Sequence, residues 1–88
     1  MIMGEVLIKY RIMPESAEQD MDKLLNDVKG VLQGVDIRNI VEQPIAFGLR
    51  ALEMMVVLPD SGGAEEVERS LEGVKGVQSV SVVEMDLL

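Results

Sequence analysis

The sequence contains no cysteine and no histidine. The absence of thiols excludes disulfide bonds, thiolate nucleophiles and thiolate metal sites. The absence of imidazole removes the commonest general base and the commonest metal ligand, and it leaves the serines without a partner that would activate them. We therefore expect no catalytic residues, no bound metal and no cofactor, and a protein that is not an enzyme.

Aromatic residues are almost absent, because the chain has one tyrosine, one phenylalanine and no tryptophan. Hydrophobic residues still make up 48% of the 88 residues, so Val, Leu, Ile and seven Met must build the core. This length predicts a single domain that spans residues 1–88.

Basic residues are scarce, with 8 Lys and Arg against 16 Asp and Glu, and the net charge is −8. Because nucleic-acid binding depends on neutralising phosphates, we expect no direct contact with nucleic acid. A basic protein partner fits this charge, and so does a role in solubility alone. The sequence also lacks an apolar run of about 18 residues and a signal peptide, so we expect a cytoplasmic protein that does not contact membranes.

Two segments have the periodicity of amphipathic helices. Ser16 and Gln19 form a capping-box pattern that predicts the start of the first helix, and Gly34 predicts its end. A turn at residues 59–63, with Ser61 as a candidate cap, precedes the second helix. The residues predicted to face inward are Met21, Leu24, Leu25, Val28, Val31 and Leu32 in the first helix and Ala64, Val67, Leu71 and Val74 in the second.

Four further segments have the composition and alternation of β-strands. They are residues 5–13, 35–42, 51–58 and 77–85. The second fits a strand only if it contains a bulge. The residues predicted to be buried in the others are Val6, Ile8, Tyr10, Ile12, Leu52, Met54, Val56, Leu58, Val80 and Val82.

The element order β-α-β-β-α-β predicts an α+β ferredoxin-like sandwich, with a four-stranded antiparallel sheet covered by two helices on one face. The repeated tetrapeptide Val-Lys-Gly-Val at residues 28–31 and 74–77 fits either two similar halves or coincidence. The uncovered sheet face is predicted to be an apolar protein-contact surface, with homo-oligomerisation and a mixed face that packs against nothing as the alternatives. Its predicted members are Leu7, Lys9, Arg11, Met13, Glu53, Met55 and Val57.

The only phenylalanine lies in a loop between the second and third strands, framed by Pro44 and Gly48. Proline and glycine punctuate the backbone, so this loop is expected to present Phe47 rather than bury it. The alternative is that the ring folds back onto its own core.

The block Pro44-Ile45-Ala46-Phe47-Gly48-Leu49, followed by Leu52 and Met55-Val56-Val57, resembles the elongation factor 1 beta family in its archaeal form. Met13-Pro14-Glu15-Ser16 matches the same family, and the similarity extends over essentially the whole chain. This resemblance implies a guanine-nucleotide exchange factor that promotes GDP release from elongation factor 1 alpha, the GTPase that delivers aminoacyl-tRNA to the ribosome. The expected partner is the GDP-bound GTPase.

The resemblance also implies which residues contact the GTPase. Phe47 matches the phenylalanine that inserts beside the nucleotide site in this family. The remaining candidates for partner binding are Pro44, Ile45 and Gly48 in the loop and the basic residues Lys9, Arg11 and Arg50.

One position departs from the family pattern. Eukaryotic members end in a penultimate lysine that reaches the Mg²⁺ site, whereas this chain has Leu87 there. Exchange would then rely on distorting the GTPase rather than on displacing the metal with a cation. A small-molecule-sensing module and a plain oligomerisation domain of the same β-α-β-β-α-β order are the alternative functions.

Overall fold

A computed structural model describes residues 4–59 and 62–88. Part of the predicted turn at residues 59–63 lies outside these ranges, and so does its candidate cap Ser61. The elements are β1 (Glu5–Pro14), α1 (Met21–Val31), β2 (Asp36–Pro44), a short 3-10 turn (Ala46–Gly48), β3 (Arg50–Pro59), α2 (Ala64–Glu72) and β4 (Val77–Leu87). The predicted order is confirmed.

The four strands form one sheet in the order β2-β3-β1-β4, with every neighbouring pair antiparallel. The two central strands, β1 and β3, pair from Glu5 opposite Pro59 to Ile12 opposite Leu52. The helices cover one face of the sheet, so the ferredoxin-like prediction is confirmed.

The core lies between this face and the helices. Because side chains alternate along a strand, the predicted inward-facing residues of β1 and β3 are confirmed, and in β3 most of the opposite face is buried as well. The fully or almost fully buried residues are Ile8, Tyr10, Ile12, Leu52, Met54, Val56 and Leu58 from the strands and Met21, Leu24, Val28, Val67 and Leu71 from the helices.

Two residues predicted for the inner stripe of α1 are less buried than expected. Leu25 is half-buried and Val31 is exposed. At 3.6 residues per turn both lie about 60° from the centre of the stripe that Met21, Leu24 and Val28 define. They therefore form its margins, and the helix ends at Val31 itself, before Gly34.

The outer strands differ from the predictions in the burial of β4, where Val80 is only half-buried. The bulge expected in β2 is confirmed by a register shift between Ile37 and Asn39. Val82, predicted to be buried, is 41% exposed although it lies opposite Tyr10 on the helix-covered face. The prediction was wrong because β4 is an edge strand, so no neighbour covers its outer side.

The first helix begins later than the capping-box pattern predicts. Its N-cap is Asp20, whose carboxylate accepts hydrogen bonds from the amides of Asp22 (3.1 Å) and Lys23 (3.2 Å). The carbonyl of Ser16 instead accepts from the amide of Gln19 in a separate turn. The prediction of Ser16 as the cap was wrong because Asp20 offers an acceptor in the same segment, nearer the apolar stripe.

Replacing Asp20 by alanine should lower the free energy of unfolding by about 1 kcal/mol, since two amides of the first turn lose their acceptor. The Asp20→Ser variant should retain most of the stability, because a hydroxyl also caps. Urea unfolding followed by circular dichroism measures the difference. Equal stability of the alanine variant and the unmodified protein would contradict the assignment of the cap.

Tyr10 links the sheet to the start of α2. Its hydroxyl donates a hydrogen bond to the carbonyl of Ala64 over 3.2 Å, and its ring is fully buried. Burial, reinforced by the negative charge of Glu68, raises the pKa of Tyr10 to about 12. The buried phenol is therefore held in its neutral form, which can donate to the carbonyl.

The Tyr10→Phe variant should lose about 1 kcal/mol of stability at pH 7, because the Ala64 carbonyl loses its donor. The unfolded chain releases the Tyr10 proton near pH 10, and the folded chain holds it to about pH 12. The stability that Tyr10 contributes is thus complete below pH 10 and declines between pH 10 and 12. Urea unfolding at pH 9 and pH 11 should show a smaller decline for Tyr10→Phe, and equal declines would contradict this linkage.

The repeated Val-Lys-Gly-Val tetrapeptide has two different conformations. Gly30 lies inside α1, whereas Gly76 lies in the loop between α2 and β4 with φ of +99°. The repeat therefore does not mark structurally equivalent positions. Within residues 4–59 and 62–88, no helix is long and apolar enough to cross a bilayer.

Candidate functional site

The connection between β2 and β3, here called the corner turn (residues 45–49), is a tight and closed hairpin loop. The Ile45 amide donates to the Leu49 carbonyl over 2.7 Å, and the Leu49 amide donates to the Ala46 carbonyl over 3.3 Å. Phe47 has φ of 61° and ψ of 32°, and Gly48 has φ of 76°. These values, with the bond between residues 46 and 49, define a type I′ turn with Phe47 and Gly48 at its two central positions.

Phe47 projects from this turn into solvent. Its side chain is 95% exposed, so the structure contradicts the alternative in which the ring packs on its own core. Among residues 4–59 and 62–88 it is also the only non-glycine residue with positive φ. Type I′ turns favour Asn or Gly at this position, and a left-handed backbone costs other residues about 1–2 kcal/mol. Neither burial nor backbone preference within the domain accounts for a phenylalanine here.

The two ends of the corner turn are anchored to the domain. Ile45 and Leu49 are half-buried, and Pro44 pairs with Arg50 at the base of the hairpin. Behind the turn lies the loop between β1 and α1, where a Cβ built on Gly48 would lie 3.9 Å from the Cβ of Ala17. The exposed Phe47 ring therefore projects from a hydrogen-bonded turn that lies next to the β1–α1 loop.

The basic residue at this base, Arg50, lies among carboxylates. Its guanidinium is 3.9 Å from the Glu42 carboxylate, and both side chains are about half exposed. Asp20 and Asp22 line the same polar groove. A solvent-exposed pair at this distance contributes little to stability, so Arg50 remains available to a partner.

The other two basic candidates, Lys9 and Arg11, lie on the open face of the sheet. The Arg11 guanidinium donates to one oxygen of Glu53 over 2.8 and 3.0 Å, and the Lys9 ammonium lies 3.5 Å from the other. The Arg11 hydrogen bonds and the charges of both cations hold the pKa of Glu53 below its usual range, against the opposing effect of burial. Composition and periodicity placed Glu53 on this face but did not reveal its partners, which depend on strand register.

The structure does not bring Lys9 and Arg11 together with Phe47. Arg11 lies opposite Glu53 and Lys9 opposite Met55, which are three and five residues along β3 from Arg50. At about 3.4 Å per residue, these positions are roughly 10 and 17 Å from the base of the corner turn. The loop residues Pro44, Ile45, Phe47, Gly48 and Arg50 form one cluster, and Lys9 and Arg11 form another.

The open face itself differs from the predicted apolar surface. Helices leave it uncovered, but its predicted apolar members are not exposed, since Val57 is buried and Leu7, Met13 and Met55 are half-buried. Glu53 is only 7% exposed. The long stems of Lys9 and Arg11 can lie across their neighbours while their charged ends meet Glu53. The prediction of an exposed apolar strip was therefore wrong, since these apolar side chains are buried or half-buried.

The fold places the chain in a structural class. The ACT domain from GTP pyrophosphokinase of Chlorobium tepidum is similar in its crystal structure, with a TM-score of 0.67 and 22% sequence identity over 90% of this chain and 99% of that one. The solution structure of the same domain gives a TM-score of 0.68. At this identity the similarity shows the ACT-type ferredoxin-like fold alone.

Sequence comparison defines the family. Residues 7–88 match the model of the EF-1 guanine nucleotide exchange domain, and the chain belongs to this family. The protein named elongation factor 1-beta from Archaeoglobus fulgidus is 39% identical over 98% of this chain and 100% of its own length. Its namesake from Methanoculleus marisnigri is 45% identical over 98% and 100%, respectively. The resemblance carried by the corner-turn residues is thereby confirmed.

Proposed function

We propose that this protein is a guanine-nucleotide exchange factor that promotes GDP release from elongation factor 1 alpha in the cytoplasm. The proposal is carried by the exposed ring of Phe47 on a closed turn, in a chain that belongs to an exchange-domain family. Phe47 would insert into an apolar pocket of the GDP-bound GTPase beside its nucleotide site. Pro44, Ile45 and Gly48 would frame the inserted ring.

Exchange of this kind requires no proton transfer and no covalent step. The factor must bind the GTPase more tightly in the state whose hold on Mg²⁺ and GDP is weakened, because only differential affinity shifts an equilibrium. A chain without histidine and cysteine can meet this requirement. The work is done by shape complementarity at one apolar anchor.

The energy available from Phe47 is adequate for such an anchor. Complete burial of an exposed phenylalanine ring yields roughly 1.5–3 kcal/mol, which is the size of an interface hot spot. The closed turn already fixes the backbone at residue 47, so little ordering would be required on association. More of the burial energy would therefore act on the GTPase.

The charged candidates would contribute unequally. Arg50 lies at the base of the corner turn and has only a weak pairing with Glu42, so it is the basic residue most suited to a contact beside Phe47. Lys9 and Arg11 already neutralise the almost buried Glu53, and breaking those ion pairs would cost energy. Leu87 pairs with Val6 at the other end of the sheet from the corner turn, and it carries no charge that would compete with Mg²⁺.

The proposal is tested by measuring release of fluorescent GDP from purified elongation factor 1 alpha in the presence of Mg²⁺ and excess unlabelled nucleotide. We expect release to accelerate at substoichiometric concentrations of the 88-residue chain, because an exchange factor turns over. Bovine serum albumin and an unrelated ACT-type domain serve as controls for nonspecific effects. Release at the intrinsic rate, together with a metabolite-dependent rise in melting temperature, would indicate a small-molecule-sensing module instead.

A further inference from the structure

The direction in which the Phe47 ring projects depends on the backbone conformation of Gly48. In the type I′ corner turn both central residues, Phe47 and Gly48, have positive φ. A residue that cannot adopt this conformation at position 48 would open the turn, even with Phe47 unchanged. The ring would then lose the fixed direction that the closed turn gives it.

Space does not explain the glycine. A Cβ built on Gly48 meets only the Cβ of Ala17, at 3.9 Å, which is ordinary van der Waals contact. The position therefore has room for a Cβ, and the backbone angle of +76° is the constraint. The effect of side-chain size and the effect of the backbone angle can be separated by comparing side chains of similar size with different tolerance for positive φ.

We propose that Gly48 is a positioning residue for nucleotide exchange, and that it acts by holding Phe47 in the left-handed conformation that directs its ring away from the domain. This inference rests on the proposed exchange function. Phe47 by itself disfavours its backbone conformation, so closure depends on the rest of the turn. The stabilising contributions come from Gly48, from the bond between the Ile45 amide and the Leu49 carbonyl, and from the half-buried side chains of those two residues.

The test compares Gly48→Val with Gly48→Asn. Asparagine tolerates the left-handed region, whereas a β-branched residue there is a strong outlier. The valine variant should accelerate GDP release at least roughly tenfold less than the asparagine variant does, because only valine is incompatible with the closed turn. Both variants keep Phe47, so a difference between them reports the backbone rather than the ring.

A second measurement reports the turn without the GTPase. Hydrogen exchange of the Ile45 amide by NMR should accelerate at least about tenfold in Gly48→Val and little in Gly48→Asn, because that amide closes the turn. The amides of the buried residues Met54 and Val56 on β3 serve as an internal control for global stability. Their protection should be similar in both variants.

The outcomes separate this inference from the proposed function. If the unmodified protein accelerates release and Gly48→Val does so equally well, the positioning role is overturned. Equal losses in the valine and asparagine variants with closed turns would also overturn it, since the conformation would then not be the cause. If the unmodified protein has no effect on GDP release, the exchange function and the positioning role fail together, and the amide measurement alone establishes what Gly48 does for the turn.

Discussion

Replacing Phe47 by alanine is expected to lower the acceleration of GDP release from elongation factor 1 alpha roughly 10- to 100-fold. This range corresponds to the roughly 1.5–3 kcal/mol that burial of the ring would supply, at about 1.4 kcal/mol per tenfold change in rate. The domain itself should remain folded, because the ring is 95% exposed. Stopped-flow measurement of fluorescent GDP release gives the effect directly.

The asparagine variant at the same position makes the test sharper. Phe47→Asn should also lose exchange activity. Its free energy of unfolding, however, should be about 1 kcal/mol higher than that of the unmodified protein. Asparagine suits the left-handed conformation at position 47, and no packing is lost with the exposed ring. Activity and stability would then change in opposite directions, which excludes a folding defect as the cause.

A matched control is available on α1. Val31 is also an exposed apolar residue, but it lies at the end of the helix away from the corner turn. The Val31→Ala variant should leave GDP release unchanged. Undiminished activity of Phe47→Ala, or an equal loss in Val31→Ala, would contradict a specific role for the ring.

Replacing Gly76 by alanine is expected to give a large loss of stability, about 2–3 kcal/mol. The backbone at Gly76 has φ of +99°, which costs a residue with a side chain about 1–2 kcal/mol. A Cβ at this buried position would also lie 2.5 Å from Nε2 and 3.1 Å from Cδ of Gln19, so that side chain must move. The melting temperature of a domain this size should fall by roughly 10–20 °C.

Two further variants separate the causes of this loss. Adding Gln19→Ala to Gly76→Ala should restore only the steric part, because the unfavourable backbone angle persists. Gly73→Ala is the control in the same loop, since Gly73 has φ of −80° and a Cβ there meets nothing nearer than 3.6 Å. A stability of Gly76→Ala equal to that of Gly73→Ala would show that the angle at residue 76 is not a constraint.

Gly76 matters beyond its own loop because it helps to hold the segment behind the corner turn. Its carbonyl accepts a hydrogen bond from the Glu15 amide over 3.0 Å, and the Gln19 side chain occupies the space where a Cβ of residue 76 would lie. Residues 15–19 therefore lie between the α2–β4 loop, next to Glu15 and Gln19, and the corner turn, where Ala17 lies next to Gly48. Through these contacts, the α2–β4 loop helps to support the corner turn.

Much of the fold follows from local patterns. The alternation in β1 and β3 correctly identified Ile8, Tyr10, Met54 and Val56 as core residues, because side-chain parity along a strand depends only on the chain itself. The out-of-register apolar residues of β2 correctly predicted its bulge. Boundaries were less predictable, as Asp20 rather than Ser16 caps α1, because more than one side chain in this segment can act as a cap.

The sequence likewise predicted some features of the candidate site and missed others. The Pro-Gly frame predicted that the loop would present Phe47, and its ring is exposed. The basic residues Lys9 and Arg11 were grouped with Phe47 by charge, but the sheet register places them beside Glu53 instead. Which charges neutralise one another depends on which strands are neighbours, and composition does not carry that information.

The amino-acid sequence alone determined the absence of thiol and imidazole side chains, the strand and helix periodicities, and the family to which the chain belongs. Only the tertiary structure decided that Phe47 lies in a left-handed turn, that Glu53 lies between two cations, and that the Gln19 side chain occupies the space beside Gly76. The physical reason is distance along the chain. Periodicity records which side of an element faces the core, whereas these contacts join residues that are brought together by strand register and loop closure.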